Sequence, residues 1–166
     1  MGIPYTHAHA KGVPMGGDLT SASAGKSLTL LIRAARDPAS ANLDRIQVIK
    51  GWRDATGALH EKIYDVALSG QGRKNRDGGV APVGNTVDIA NASYTNTIGA
   101  PELSVVWTDP DFNKGMLAFY YIRVLEIPTP RWTAYDARHY GLKDLPEDIQ
   151  MLTQERAYSS PIWYTP

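Results

Sequence analysis

The run that most constrains this chain lies near its end: Gln154-Glu-Arg-Ala-Tyr-Ser-Ser-Pro-Ile-Trp-Tyr164 is apolar, aromatic and strand-like. Chain ends stay ordered only when tied down, so this run must pair with strands laid down earlier. The signals upstream are of the same kind, short β-patterned runs separated by Gly, Pro, Asn and Asp. Residues expected of a catalytic centre are sparse.

Leu28, Leu30, Ile32 and Ala34 alternate with Thr29, Leu31 and Arg33, which predicts a strand, and Asp37-Pro38 stops it. Ile46, Val48 and Trp52 share one face of the next run, with Arg45 and Gln47 on the other. Asp54-Ala-Thr-Gly57 reads as a hairpin connection with Gly57 at positive φ. The return strand carries Tyr64, Val66 and Leu68 against Glu61, Ile63 and Asp65. Ser69 to Gly84 reads as a long mobile loop, Thr86 to Ile89 as a short strand and Tyr94 to Ile98 as a turn. Leu103, Val105 and Trp107 mark another strand. Met116 to Ile127 is apolar on both faces, which predicts a central strand. Trp132 to Tyr140 reads as a short helix, and Leu145 to Gln150 as a single turn starting at Pro146.

These elements predict a mainly β protein, an antiparallel β-sandwich of the immunoglobulin or fibronectin III kind, with long loops and one or two short helices. Residues 1–26, rich in Gly, Pro, Ala and Ser, read as an extended N-terminal arm with a turn at Pro14 to Asp18. Residues 27–166 read as a single sandwich domain.

Seventeen basic and seventeen acidic side chains cancel, so no overall field draws nucleic acid or an anionic membrane, and neither is expected as a partner. The local cluster Arg73-Lys74-Asn75-Arg76 reads as a solvated loop. The absence of cysteine excludes disulfides, thiolate zinc sites and a cysteine nucleophile. No apolar stretch approaches the roughly 20 residues that span a bilayer. The first residues lack the basic and apolar regions of a secretory signal, which leaves the compartment open.

Four histidines are the natural first suspects for chemistry. His7 and His9 form a His-Ala-His pair, a spacing that can ligate a transition metal; His60 and His139 stand apart. No three or four ligands converge, so no metal and no cofactor are expected. There is no nucleophile elbow. Ser159-Ser160 reads as polar decoration, Gly25-Lys26-Ser27 as a chance echo of a phosphate loop, and Asp109 and Asp111 as loop caps. Arg131, Trp132, Tyr135 and Tyr140 form a candidate binding surface for a sugar or a protein. The plainer expectation is that Trp132 folds back to plug one end of the sandwich.

Several stretches carry a resemblance in unbroken order. Gly12-Val-Pro-Met-Gly-Gly-Asp-Leu19, Ala35-Arg-Asp-Pro38, Ala41 to Trp52, Glu61 to Ala67, Pro82 to Asp88, Tyr94-Thr-Asn96, Val106 to Phe112, Ala118 to Trp132 and Gln154 to Tyr164 resemble the C-terminal part of the bacterial family called domain of unknown function 3604. The resemblance implies a much longer parent, similar to metal-dependent hydrolases of the polymerase-and-histidinol-phosphatase type and often exported, which makes a periplasmic location one expectation. It also implies an N-terminal metal-binding part that this chain lacks; His7 and His9 are not equated with that part's His-x-His.

The function these readings support is a non-catalytic β-sandwich portion of such a hydrolase, packing against and supporting a missing catalytic domain or self-associating through the surface left bare. The alternatives are a small self-contained hydrolase using His and Asp or Glu residues, and a carbohydrate-binding module.

Overall fold

The structure, a computed structural model, describes residues 12–20, 27–74 and 79–166. The chain runs β1 (Asp18–Thr20), β2 (Thr29–Ala35), β3 (Leu43–Arg53), β4 (Leu59–Leu68), β5 (Glu102–Thr108), β6 (Ala118–Glu126), β7 (Thr129–Pro130), helix α1 (Trp132–Tyr140), β8 (Leu152–Thr153), β9 (Arg156–Tyr158) and β10 (Ile162–Thr165). The protein is mainly β and sandwich-like. A six-stranded sheet in the order β1-β10-β6-β3-β4, with β9 also on β6, carries the two-stranded sheet β2-β5 on one face, and β7-β8 form a small separate pair.

β6 is central, as its two-faced apolar pattern predicts, with β3 on one edge and both β9 and β10 on the other. The aromatic run at the end of the chain is therefore two strands on one edge. Pro161 lacks the N–H a continuous strand would need, so the ladder breaks across Ser159 to Pro161. Ser159 fills the break: its N–H donates to Ile122 O at 3.0 Å and its Oγ accepts from Ile122 N at 3.0 Å. The two serines read as decoration thus splice one strand into two. β1 joins β10 in parallel, through the turn Gly17 N to Pro14 O at 3.0 Å that the Pro-Met-Gly-Gly signal predicts; every other ladder in this sheet is antiparallel.

The core lies between the two sheets. Leu28, Leu30 and Ile32 pack on Ile46, Val48, Ala118, Tyr120 and Tyr164, each more than nine-tenths buried. Period-2 alternation puts these residues on the inward face of their strands, and β5 alternates strictly between half-buried Leu103, Val105, Trp107 and their exposed neighbours. The β3–β4 hairpin forms as expected. Asp54 Oδ1 accepts from the N–H of Thr56 and of Ala58 at 2.9 and 3.0 Å, and Gly57 takes φ 90°.

Two loop expectations fail. Arg73 is not solvated. It is buried, donates to the carbonyls of Asp44, Ser69 and Ala81, and Lys74 bridges to Val80. The Arg73 guanidinium thereby folds the 69–84 segment onto β3, because a buried arginine must satisfy its donors; residues 75–78 of the basic cluster lie outside the described residues. Thr86 to Ile89 forms no strand, only the isolated bridge Asp88 to Ser93. Thr86 is instead held by its Oγ1 donating to Thr95 O at 2.6 Å, and Asn42 ties down the residues that follow, its N–H donating to Asn96 Oδ1 and its Nδ2 to the carbonyls of Asn96 and Ile98.

Candidate functional site

Two surfaces and two buried charge clusters concentrate the chemistry. The first cluster sits where β3, β6 and the loop after β5 meet. Lys50 is 3% exposed and Asp109 1%. Lys50 Nζ lies 2.6 Å from Asp109 Oδ2 and donates to Asp111 O at 2.8 Å. Tyr120 OH donates to the same Asp109 oxygen at 2.7 Å, while Asp109 Oδ1 accepts from Asp111 N at 2.9 Å. The ammonium also lies 5.4 Å from the Trp52 ring and 5.7 Å from that of Tyr120, within cation–π range. Nearer solvent, Asp111 receives Lys62 and the hydroxyl of Tyr64. Lys62 foremost, then Tyr64, holds the Asp111 carboxyl below the usual range. Burial, then hydrogen bonding to Asp109 and Asp111 respectively, pushes the Tyr120 and Tyr64 hydroxyls well up. Asp109 is thus more than a loop cap, since its carboxylate neutralises a cation placed inside the sandwich, while Asp111 adds its carbonyl to Lys50 and its carboxylate to exposed Lys62.

The second cluster follows from a β-bulge. β3 shifts register against β6 between Leu43 and Arg45, which turns Asp44 inward against Arg73, with Asp44 Oδ1 2.6 Å from Arg73 Nη2. That approach is close but poorly aligned, since Asp44 Oδ1 has no hydrogen-bond partner, so it is an ion pair and not a hydrogen bond. Gln154 Nε2 donates to the other Asp44 oxygen at 2.8 Å, tying the segment before β9 to the same point.

The first surface is a groove of ≈ 530 Å³ at the hairpin end of the large sheet, lined in part by Gly51, Trp52, His60, Phe119 and Trp163. His60 stacks on Trp52 at 5.2 Å and 16°, and its Nε2 lies 2.7 Å from Asp54 Oδ2. Thr56, then His60, holds Asp54 far below the usual carboxylate range. An Asp–His pair on a groove wall fixes the imidazole orientation and tautomer. Beyond the groove, the sheet face away from β2-β5 carries Tyr121, Ile63 and Tyr158. Ile49 on this face is 1% exposed, lying between its cross-strand partners Tyr121 and Ile63.

The second surface is α1, at the opposite end of β6. The helix forms where the Trp132, Tyr135, His139 spacing predicts it. Gly141 ends it in the left-handed conformation, φ 61° and ψ 33°, with Leu142 N donating to Ala137 O at 2.9 Å, a glycine C-cap. Fully buried Ala134 seats it. Arg131 Nη1 donates to Gln150 Oε1 at 2.9 Å and Arg138 Nη1 to Asn91 O at 2.7 Å. The aromatic side chains point the other way: Trp132 is 64% exposed and Tyr140 70%, with His139 edge-on to Tyr140. The expectation that Trp132 plugs the sandwich is therefore wrong. Ala134 takes the inward position, and a helical step of two residues carries Trp132 to the far side. Trp132, Tyr135 and Tyr140 are each exposed on α1, while Arg131 at its N-terminus is half-buried.

Among the described residues no three or more His, Cys, Asp or Glu are grouped to hold a metal ion; His7 and His9 lie outside those residues, as do Gly25 and Lys26. Sequence reasoning missed Lys50, Arg73 and the aromatic row on the outer sheet face. The available signal was Lys50 within an otherwise apolar strand and Gly51 opposite an aromatic run. Among the described residues, no helix is long and apolar enough to cross a membrane.

Neither the curated proteins nor the solved structures include a match to this chain. One family model does match, that described as protein of unknown function (DUF3604), and it covers residues 4–166. The chain therefore belongs to the DUF3604 family.

Proposed function

We propose that this chain is a non-catalytic β-sandwich portion of a metal-dependent hydrolase, and that it docks on and supports a catalytic domain supplied elsewhere. The observation that carries this reading is α1. A helix fixed by Ala134, Arg131 and Arg138 carries three exposed aromatic residues, Trp132, Tyr135 and Tyr140. Aromatic residues dominate interface energetics when they enter a partner's pocket, and isolated monomers rarely display such clusters without use. Exposed rings on a short, anchored helix suit insertion into the pockets of a protein partner. The hydrolase identity of the parent rests on the sequence resemblance, with its histidine-rich N-terminal part.

Co-expression of this chain with the histidine-rich part of a longer family member, followed by affinity purification, tests the reading. The two associate, and Trp132→Asp abolishes association while leaving the fold intact. Association that survives both Trp132→Asp and Tyr135→Asp refutes docking through α1.

One observation favours a second reading, a small self-contained hydrolase. The Asp54–His60 pair borders the groove in an arrangement used for general bases. Ester or phosphoester turnover by the purified chain, lost in His60→Ala and retained in His139→Ala, establishes that reading over the first.

A further inference from the structure

The outer face of the six-stranded sheet carries four aromatic rings in one row. Trp163 neighbours Phe119 at 5.3 Å, Phe119 neighbours Tyr121 at 6.3 Å, and Tyr121 neighbours Tyr158 at 6.3 Å. The central two are nearly parallel, 11° apart. Gly51, the cross-strand partner of Phe119, shows how the row is built. A Cβ there would stand 2.3 and 2.4 Å from Phe119 Cζ and Cε1 and 3.0 Å from Cε2. Three ring atoms that close to one point place the ring face over the glycine, lying down on the sheet. Trp163 tilts by 52° and Tyr158 by 43° from their neighbours, so the two end rings are turned out of the plane of the central pair. Trp163 and Tyr158 are half exposed, at 50% and 56%.

We propose that this row of rings is a binding site for a neutral, β-1,4-linked glycan. A flat ring offers its face to the axial C–H groups of a pyranose. A row of rings spaced at about the length of one sugar suits a ribbon-like chain that turns successive apolar faces to one side. The polar groups beside the row fit hydroxyls. At one end stand Arg53 and Glu61 on the groove wall, with Glu61 the cross-strand partner of Gly51. At the other, Gln47 Nε2 donates to Asp65 Oδ1 and Arg123 Nε donates to Gln47 Oε1, each at 2.8 Å. Both ends mix donors with acceptors and both signs of charge, which matches an uncharged polyol better than an anion or a cation. The groove's ≈ 530 Å³ lies within the roughly 300–1,000 Å³ of small-ligand pockets. This site is distinct from α1 and does not depend on a catalytic partner.

The test is titration calorimetry and tryptophan fluorescence on the whole chain with neutral hexasaccharides of β-1,4-glucan, β-1,4-xylan and β-1,4-mannan. At least one binds with a Kd below about 1 mM and perturbs Trp163 emission. Trp163→Ala and Tyr121→Ala each weaken it at least tenfold with the urea midpoint little changed, and Trp132→Ala on α1 leaves it unaltered. Gly51→Ala, which must displace the Phe119 ring, weakens it as well; should that variant not fold, half-exposed Trp163 and its row neighbour Tyr121 still decide the matter. Absence of binding by all three sugars overturns the proposal, as does binding untouched by Trp163→Ala and Tyr121→Ala. Sedimentation showing dimers that Tyr121→Asp dissociates assigns the face to a second copy of the chain and equally overturns it.

Discussion

Replacing Lys50 with methionine keeps most of the side-chain volume and removes only the charge. Its partner Asp109 then stays buried, its side chain 0% exposed, with Tyr120 OH and Asp111 N as remaining donors. Removing one member of a buried ion pair costs about 3–5 kcal/mol, because the surviving charge is left in a poorly polarisable interior. The loss of the Trp52 and Tyr120 ring contacts to the ammonium places the expected cost in the upper half of that range. Domains of this size are stable by roughly 5–15 kcal/mol in total, so Lys50→Met loses a large share of the stability. Tyr120→Phe, which removes one hydrogen bond to a charged acceptor, costs about 1.5–3 kcal/mol. Urea unfolding reports both, followed by the fluorescence of Trp52 beside the ammonium and Trp107 packed on Tyr64. The two changes share Asp109, so their effects are non-additive by about 0.5 kcal/mol or more. A cost below about 1 kcal/mol for Lys50→Met, or strict additivity with Tyr120→Phe, refutes the description of this cluster as one buried, mutually dependent unit.

Gly99 sits at φ 77°, and a Cβ there would meet Asn42 Cβ and Ile127 Cγ2 at 2.7 Å. With strain from the backbone and from overpacking together, Gly99→Ala costs about 2 kcal/mol or more in thermal or urea unfolding. Stability also falls in alkali. Tyr120 and Tyr64 titrate above their ordinary value in the fold, so the unfolded chain releases their protons first. The contribution of these two hydroxyls is level up to about pH 10 and declines above it, and Tyr120→Phe makes that decline shallower by up to one proton. In acid, the depressed Asp54, Asp88, Glu102 and Asp111 carboxyls contribute stability that is present above about pH 4 and lost as pH drops toward their folded values. Trp132→Ala changes the unfolding free energy by less than about 0.5 kcal/mol, since its side chain is mostly in solvent.

The strands were legible in the sequence because the sheet has one dry face and side-chain alternation reports it. β2, β5 and the β3–β4 hairpin follow their apolar period, and α1 falls where Trp132, Tyr135 and His139 recur. What periodicity could not carry was long-range pairing. Nothing local to Arg73 says that Asp44, twenty-nine positions earlier, will turn inward on a bulge, so a buried arginine read as a solvated one. Asp109 looked like a loop cap because its partner Lys50 sits two strands away in sequence. The final aromatic run read as one strand because its break depends on Ser159, just before Pro161, taking over the N–H of Ile122. Trp132 was placed inward by its hydrophobicity alone, while the choice between Ala134 and Trp132 as the seated residue was made by the space beneath the helix. The aromatic row escaped notice for a related reason: its members come from β6, β9 and β10, and only the sheet sets them side by side.

The central claim is that this chain serves by docking through α1 and not by turnover of its own. Hydrogen exchange on the whole chain, with and without the histidine-rich part of a longer family member, tests it most directly. The account predicts that added protection concentrates at residues 131–142. Protection confined to other segments, or unchanged exchange throughout, contradicts it.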